Sequence, residues 1–322
     1  MRAVYVDSQD AENPLRGLVV GDLEDPGPPR PGWVPVTVRA AALNHHDLWS
    51  LRGVGLPADR LPMVLGCDAA GTDEDGNEVI VHAVVAGAHW RGDETLDPRR
   101  SLLSEVYPGT LAERVWVPAG NVVAKPAELS WAEAACLPTA YLTAYRLLFH
   151  AAALRPGQRV LVQGAGGGVA TASILLARAA GLEVWVCGRD PERNDRARAL
   201  GAHEVFESGA RLPDQVDAVV ETVGEATWAH SLRVVRPGGT IAVAGATSGA
   251  MPPAELSRVF FRSVSVVGST MGTLEELRLL TAFLVATGAR PHIDDVLPLS
   301  EAAAALARLE HGEVYGKLVL EP

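Results

Sequence analysis

The sequence predicts an α/β protein in which a β-rich region is followed by a doubly wound parallel sheet. Residues 1 to about 125 contain short apolar strands separated by Pro, Gly and Asp, for example Trp33–Val38 and Glu78–Val81. From about Ser130 onward, apolar strands alternate with helical segments, which is typical of a parallel sheet. The chain has 322 residues, enough for two domains at roughly 100–200 residues each.

The elements of the second region are predicted one by one. The first is a helix from Trp131 to Leu148, with the Ser130 hydroxyl as its N-cap. It is followed by a strand at 160–163, a helix at 170–180, a strand at 183–187, a helix at 191–200, strands at 217–220, 241–244 and 264–268, and a helix at 274–286. A final strand at 316–320 is expected to rejoin the β-rich region.

Composition argues against several classes of function. The 28 Lys and Arg residues against 39 Asp and Glu residues give a net charge of −11 without long like-charge runs, so we expect no nucleic-acid or membrane partner. No stretch reaches the roughly 18 apolar residues of a membrane span, and the N-terminus has the pattern of a strand rather than a signal peptide. The three cysteines, at positions 67, 136 and 187, are widely separated, which indicates a reducing cytoplasm and no disulfide framework.

The most informative motif is the glycine cluster after the strand at 160–163. It contains Gly164, Gly166, Gly167, Gly168 and Val169, and a helix of small residues follows at once. Glycines leave the backbone N–H groups of such a turn open to a ligand, and the helix N-terminus adds a partial positive charge. The motif therefore predicts a binding site for the pyrophosphate of a dinucleotide.

The end of the second strand indicates which dinucleotide binds. An acidic residue there selects NAD, whereas a basic residue accommodates the extra phosphate of NADP. Gly188 stands where the acidic residue is expected, and Arg189 and Arg193 follow it, so the sequence predicts NADP(H). The alternative is that both arginines only solvate the first turn of the next helix, with Asp190 neutralising Arg189.

Further motifs, in this order along the chain, resemble one family. They are Ala42–Trp49 with Arg52–Gly53, Leu65–Gly71, Gly109–Glu113, Leu137–Ala144, the glycine turn, Gly268–Gly272 and Gly316–Lys317. Together they resemble the medium-chain dehydrogenase/reductase superfamily over almost the entire chain. Within that superfamily they are most similar to the quinone oxidoreductase-like (zeta-crystallin-like) branch.

This resemblance implies a fold and an assembly. It implies a GroES-like β-rich catalytic domain at residues 1–125, completed by 290–322, and a Rossmann NADP-binding domain at 126–289. The active site is then expected in the cleft between the two domains. By analogy with the family we also expect a homodimer, with residues 264–267 as its edge strand.

The zinc ligands of the superfamily are the main departure. Zinc-dependent members hold the metal with a Cys, a His and a second Cys, and these positions match Asn44, Cys67–Asp68 and a point near Ala135. The four-cysteine loop that holds the structural zinc in the family corresponds to residues 81–109, and this segment contains no cysteine. Since zinc needs about four donors, we expect no zinc. The alternative is an improvised site in which His45 or His46 joins Cys67.

Without a metal, the reaction is expected to use an acceptor that is already electrophilic. A quinone or an α,β-unsaturated carbonyl spreads the charge of an incoming hydride over its conjugated oxygen, so a few hydrogen-bond donors suffice. The sequence thus predicts a zinc-independent NADPH-dependent oxidoreductase acting on quinones or enones. The alternatives are an alcohol dehydrogenase with a non-standard zinc site and a non-catalytic NADPH-binding protein.

The resemblance and the strand ends together assign the site residues. Asn44 and His46 are the candidate catalytic residues, although Asn44 also suits a turn and His46 also suits simple packing. The candidate cofactor-binding residues outside the glycine turn and the Gly188–Arg193 segment are His45, Thr139, Thr222, Val223, Gly245, Ala246, Thr247, Ser269, Thr270, Met271 and Lys317. Asp47 and Arg52 are expected to form a structural ion pair.

Overall fold

Two segments far apart in sequence, Met1–Ala140 and Met271–Pro322, form the first compact unit, and Tyr141–Thr270 forms the second. The computed structural model describes all 322 residues. The first unit begins with β1 (Arg2–Val6), β2 (Leu18–Asp22), β3 (Trp33–Ala42), α1 (His45–Leu51), β4 (Met63–Val64), β5 (Asp68–Thr72), β6 (Glu78–Val81), β7 (Val84–Val85), β8 (Ser101–Leu102), β9 (Arg114–Pro118), β10 (Val122–Ala124) and α2 (Trp131–Ala135).

The second unit and the return to the first contain the remaining elements. The second unit has α3 (Leu142–Arg146), β11 (Arg159–Gln163), α4 (Gly168–Ala179), β12 (Glu183–Gly188), α5 (Pro191–Leu200), β13 (Glu204–Glu207), β14 (Val216–Glu221), α6 (Glu225–Val234), β15 (Val235–Val243), α7 (Leu256–Phe261) and β16 (Ser265–Gly268). The first unit resumes with α8 (Leu274–Thr287), β17 (Ile293–Pro298), α9 (Ala302–Glu310) and β18 (Lys317–Glu321).

The main sheet of the first unit has the strand order β10-β6-β5-β3-β18-β17, with β9 paired to β3. Strand β18 is antiparallel to β3, with Val319 opposite Ala42, so the predicted return of the tail to the β-rich region is confirmed. A three-stranded sheet, β2-β1-β4, packs its apolar residues into the same core. Leu48 and Leu51 of α1 contribute to that core. Helix α1 begins at His45, shortly after β3 ends at Ala42.

The second unit has one fully parallel six-stranded sheet in the order β13-β12-β11-β14-β15-β16. Its central strand β11 is an apolar run buried on both faces, as strands covered by helices on both sides require. The strand order reverses between β11 and β14, where ligands bind in doubly wound sheets. The predicted α/β class with a Rossmann-type sheet is confirmed, and helix α5 has the predicted bounds.

Two features differ from the sequence expectation. The unit boundaries fall at residues 140 and 270, so residues 126–140 and 271–289 belong to the first unit; α2 packs against β3 and β5, and α8 packs against β10. The single helix predicted over 131–148 is broken into α2, a π-helical turn at Leu137–Tyr141, α3 and a second π-helical turn at Leu147–Ala151. The first break falls at Pro138, because proline lacks an N–H donor and its ring would clash with the carbonyl four residues earlier in a regular helix.

No helix in the structure combines the length and the apolar character that crossing a membrane requires.

Candidate active site and cofactor site

The glycine turn of the second unit connects β11 to α4 as the sequence predicts. Gly164 has a φ of +90°, a left-handed conformation that favours glycine, and its N–H donates to the Cys187 carbonyl at 2.8 Å. Gly167 is the N-cap of α4, and Gly168 and Val169 begin a helix of 12 residues. The first-turn N–H groups of a helix have no partner within it, so this end of α4 suits an anionic ligand.

The end of β12 lies directly beside this turn. Gly188 is buried, and a Cβ on it would lie only 2.9 Å from the Ala165 Cβ. Arg189 is exposed and forms no ion pair in the structure. Asp190 caps α5 through the N–H groups of Glu192 and Arg193, and its Oδ2 lies 3.7 Å from Arg193 Nε. In the structure, Asp190 therefore does not neutralise Arg189, as the alternative interpretation had it.

Three more strand ends of the same sheet lie next to the turn. A Cβ on Gly164 would lie 3.7 Å from Val223 Cγ2, and one on Gly245 would lie 2.9 Å from the Thr222 carbonyl. The Thr247 N–H donates to the same carbonyl at 3.4 Å. The structure thus gathers the second-unit candidates at one sheet edge, together with Ala246, which adjoins Thr247, and with Ser269 and Thr270, which follow β16.

A buried carboxylate holds the Thr222–Val223 segment in place. Glu221 Oε1 accepts hydrogen bonds from the N–H groups of Val223 at 2.9 Å and Gly224 at 3.1 Å. The hydroxyls of Thr227 and Ser231 donate to its Oε2 at 2.9 and 2.6 Å. Because Glu221 is fully buried, these donors replace the water that its carboxylate loses on folding.

Asn44 lies at the centre of the buried polar cluster of the first unit. Its Nδ2 donates to Asp68 Oδ2 at 2.9 Å, and its Oδ1 accepts from Lys317 Nζ at 2.6 Å. The ammonium of Lys317 also donates to the Leu43 carbonyl at 2.6 Å and forms an ion pair with Asp68 at 3.2 Å. Lys317 and Asp68 are only 2% and 0% exposed, so their charges neutralise each other inside the protein.

Lys317 thus has a local role that sequence analysis did not assign. Its ammonium already has three acceptors within the first unit, and its side chain is buried rather than solvated. The contact predicted between Lys317 and the cofactor stays a prediction.

Asp47 fixes the start of α1. Its Oδ2 accepts from the Asn44 N–H at 2.8 Å and its Oδ1 from the Gly66 N–H at 3.0 Å. The predicted Asp47–Arg52 ion pair is wrong, because Asp47 is committed to these backbone donors while Arg52 forms an ion pair with Glu310 at 2.9 Å. Burial raises the pKa of Asp47 although the hydrogen bond from Asn44 acts in the opposite direction.

The two histidines at the start of α1 have different surroundings. His45 is exposed, yet the protein around its imidazole desolvates it, and the charges of Lys317 and Arg52 act in the same direction, so that its pKa is lowered. His46 Nε2 is shielded from solvent and lies 4.0 Å from Glu105 Oε1, without a hydrogen-bond partner. The cofactor contact predicted for His45 and the catalytic role predicted for His46 stay predictions.

Thr139 and Met271 are the other candidates in the first unit. The Thr139 hydroxyl lies in the π-helical turn, is shielded from solvent and has no hydrogen-bond partner. Met271 is buried, has a φ of +51° and packs with Cys67 and Ala83. Their predicted contacts with the cofactor stay predictions.

Comparison with known proteins accounts for both units. Residues 30–127 match the alcohol dehydrogenase GroES-like domain, and residues 168–286 match the zinc-binding dehydrogenase domain. A solved structure described as an NAD-dependent alcohol dehydrogenase is 34% identical, covers 100% of both chains and has a TM-score of 0.90. The chain belongs to the medium-chain dehydrogenase/reductase superfamily. The family and the GroES-like fold predicted from the motifs are thereby confirmed.

Two sequence relatives of this medium-chain dehydrogenase/reductase are named as reductases or oxidoreductases. Quinone oxidoreductase of Mus musculus is 28% identical over 91% of this chain and 90% of its own length. Crotonyl-CoA carboxylase/reductase of Cereibacter sphaeroides is 26% identical over 86% of this chain and 77% of its own length. Members named for alcohols, quinones and acyl-CoA substrates thus share this fold.

The residues at the family's zinc positions do not suit zinc in this chain. Asn44 offers only an amide where a cysteine ligand is expected, and the Asp68 carboxylate already pairs with the Lys317 ammonium. In the metal-free protein, burial raises the pKa of the Cys67 thiol well above its ordinary value, and the Asp47 and Asp68 carboxylates raise it further. Burial likewise raises the pKa of Cys136 to about 12. The structure shows no group of three or more His, Cys, Asp or Glu side chains that could hold a metal ion, including His45 or His46 with Cys67.

Sequence reasoning missed three of the residues that build these sites. Asp68 was considered only as a changed zinc position, and Glu221 and Asn194 were not considered. The available signals were an acidic residue at the end of the apolar β14 run and an asparagine in an otherwise charged helix. Neither signal identifies a hydrogen-bond partner, because the partners of these residues lie anywhere from 2 to 249 residues away in sequence.

Proposed function

We propose that this protein is a zinc-independent, NADPH-dependent oxidoreductase that transfers a hydride to a quinone or an α,β-unsaturated carbonyl. The observation that carries the proposal is the position of Lys317 Nζ, 2.6 Å from Asn44 Oδ1 and 3.2 Å from Asp68 Oδ2. Residues that match metal positions of zinc-dependent members thus surround an ammonium ion. The names of the mouse quinone oxidoreductase and the Cereibacter crotonyl-CoA enzyme support a reductase.

The second unit is proposed to bind NADPH. The N–H groups at the start of α4 suit the pyrophosphate, and the exposed guanidinium of Arg189 suits the additional phosphate of NADPH. When bound, NADPH supplies the hydride, and a proton from the protein or solvent completes reduction of the acceptor. The residues at the strand ends, Thr222, Val223 and Gly245, are proposed to orient the nicotinamide half.

The first unit is proposed to act on the acceptor. Its Asn44 is held in one orientation by Asp68 and Lys317, which suits a group that must position a substrate with precision. We assign proton donation to His46, because its Nε2 has no hydrogen-bond partner and a positioned imidazole can act as a general acid. A conjugated oxygen that gains charge would accept that proton.

Consumption of NADPH across quinones, enones, aldehydes and alcohols, with and without a chelator, tests this proposal. We expect turnover with quinones or enones that the chelator does not change. Turnover of alcohols with stoichiometric zinc, lost on chelation, would instead establish the second candidate, for which the 34% identical alcohol dehydrogenase structure is the supporting observation. NADPH binding without turnover on any acceptor would leave only a cofactor-binding function.

The choice of cofactor has its own test. Arg189→Ala should weaken NADPH binding about 10- to 100-fold and leave NADH binding within threefold, since only NADPH carries the extra phosphate. Arg198→Ala is the matched control, because Arg198 lies in the last turn of α5 and pairs with Asp195. Equal affinity of the unaltered protein for both cofactors would refute the NADPH assignment.

We further propose a homodimer formed through β16. This strand lies at the edge of the six-stranded sheet, and α7 beside it exposes Phe260 and Phe261 by 63% and 82%. A strand edge with adjacent apolar side chains favours pairing with a second copy. Light scattering should show a dimer that Val266→Lys converts to a monomer, and a monomer at micromolar concentration without that change would exclude this assembly.

A reducing compartment, such as the cytoplasm, is part of the same proposal. All three cysteines are free and buried. Identical thermal unfolding of the protein with and without a thiol reductant is the expected result.

A further inference from the structure

The side chain of Asn194 explains why residue 188 is glycine. A Cβ built on Gly188 would lie 2.0 Å from Asn194 Oδ1 and 3.1 Å from its Cγ. The first distance is far below any van der Waals contact, so no other residue fits at position 188 while Asn194 keeps its place. The amide therefore occupies the volume that a side chain at the end of β12 would need.

The structure holds Asn194 firmly in this position. Its Nδ2 donates to the Gly188 carbonyl at 3.1 Å, and the residue is only 8% exposed. It lies in the first turn of α5, a helix that Asp190 caps through the N–H groups of Glu192 and Arg193. Its Oδ1 is buried without a hydrogen-bond partner, so placing the amide here costs desolvation free energy.

Position 188 is also where the two cofactors are distinguished. In doubly wound sheets an acidic side chain at the end of the second strand accepts hydrogen bonds from the adenosine ribose of NAD. The same carboxylate would repel the phosphate that NADPH carries on that ribose. An uncharged amide that prevents any side chain at this point therefore keeps the space beside Arg189 free of negative charge.

We propose that Asn194 is a specificity-determining residue that excludes an acidic side chain from position 188 and thereby preserves the preference for NADPH. This inference rests on the proposed NADPH-dependent function. Asn194 acts through Gly188 and not through contact with the cofactor, so its effect appears only when residue 188 is changed. The prediction is consequently a coupling between two positions rather than an effect of one.

The test measures NADPH and NADH binding by calorimetry, together with thermal unfolding. Gly188→Asp alone should weaken binding of both cofactors at least 10-fold and lower the unfolding temperature, since the new side chain collides with Asn194. Adding Asn194→Ala should restore NADH binding to at least the original affinity while NADPH binding stays about 100-fold weaker. Asn194→Ala alone should leave the NADPH-to-NADH ratio within threefold.

Two further variants keep the outcome unambiguous. Adding Ala165→Gly to the double variant removes the second close contact, at 2.9 Å from a Cβ on Gly188, in case that contact limits folding. Asp195→Ala is the matched control in the same helix, because Asp195 faces solvent and pairs with Arg198; combined with Gly188→Asp it should restore nothing.

The inference and the proposed function fail in different ways. Tight NADH binding by Gly188→Asp alone with an unchanged unfolding temperature would overturn the role of Asn194, as would a lack of recovery in both variants that add Asn194→Ala. Equal binding of NADPH and NADH by the unaltered protein would overturn the NADPH preference and leave the coupling between positions 188 and 194 measurable with NADH.

Discussion

Lys317 and Asn44 are joined by a hydrogen bond of 2.6 Å although they lie 273 residues apart in sequence. The ammonium of Lys317 is also the only positive charge that pairs with the buried Asp68 carboxylate. The amide of Asn44 therefore takes its orientation from an ion pair, and the geometry of a candidate catalytic residue depends on a strand from the other end of the first unit.

Removing the lysine should destabilise the protein strongly. Lys317→Met leaves the Asp68 carboxylate buried without a counter-charge, which costs about 3–5 kcal/mol of unfolding free energy. Chemical denaturation measures this loss, and adding Asp68→Asn should recover part of it. Arg278→Gln, which breaks the exposed Arg278–Glu275 pair, should cost less than about 1 kcal/mol. A similar small cost for Lys317→Met would mean that this ion pair contributes little.

Glu221 should control cofactor binding through the Thr222–Val223 segment. Glu221→Gln replaces one acceptor oxygen with an NH2 group that cannot accept from its present donors, so we expect a loss of about 1–3 kcal/mol in stability and a higher KM for NADPH. Saturation kinetics and chemical denaturation give the two values. The exposed Glu207→Gln is the control, and an unchanged KM in a destabilised Glu221→Gln protein would limit Glu221 to a structural role.

Proton transfer by His46 should appear in kcat. If His46 completes reduction of the acceptor, His46→Gln should lower kcat by about 100-fold or more and leave the KM for NADPH nearly unchanged. His89→Gln changes an exposed histidine elsewhere in the first unit and should be neutral. Normal kcat in His46→Gln would assign the proton to solvent or another group.

Acid should remove a stabilising contribution from Glu94. Burial pushes the pKa of Glu94 upward, but the neighbouring His82 imidazole, 3.2 Å away, and the Leu274 N–H outweigh it, so the pKa lies below its ordinary value of 4.5. A carboxyl with a depressed pKa in the folded state stabilises the protein above its unfolded pKa and loses this effect as the pH falls. Glu94→Gln should thus be less stable than the natural protein at pH 7.

Denaturation curves between pH 7 and pH 3 check this sign. The difference between the natural protein and Glu94→Gln should shrink once the pH falls below about 4.5, and the exposed Glu74→Gln should follow the natural protein throughout. A difference that grows in acid would contradict the direction of the shift.

The cysteines should be unreactive in the folded protein. Burial raises the pKa of both Cys136 and Cys187 to about 12, and that of Cys67 well above its ordinary value, so the reactive thiolate is scarce at neutral pH. A chromogenic disulfide reagent should therefore find almost no thiol within minutes, and three after unfolding. Rapid reaction of one cysteine in the native protein would show that its segment opens locally.

Periodicity and motifs predicted the parallel sheet, the glycine turn and the bounds of α5, because these depend on residues that are neighbours in the chain. The break at Pro138 was also readable, but the alanine-rich pattern around it concealed the break. The polar clusters were not readable. Asp68 meets Lys317 because β3 lies between β5 and β18, and the contact between Gly188 and Asn194 depends on how α5 packs against β12.

The pairing of β18 with β3 has a consequence for the order of folding during synthesis. The second unit is continuous in sequence, so all of its residues are synthesised before residue 271. The sheet around Asp68 must wait, because its ammonium partner is encoded almost 250 codons downstream. Until Lys317 is synthesised, the Asp68 carboxylate of the nascent chain has no ammonium partner. Synthesis of the final residues therefore completes both the sheet and the ion pair.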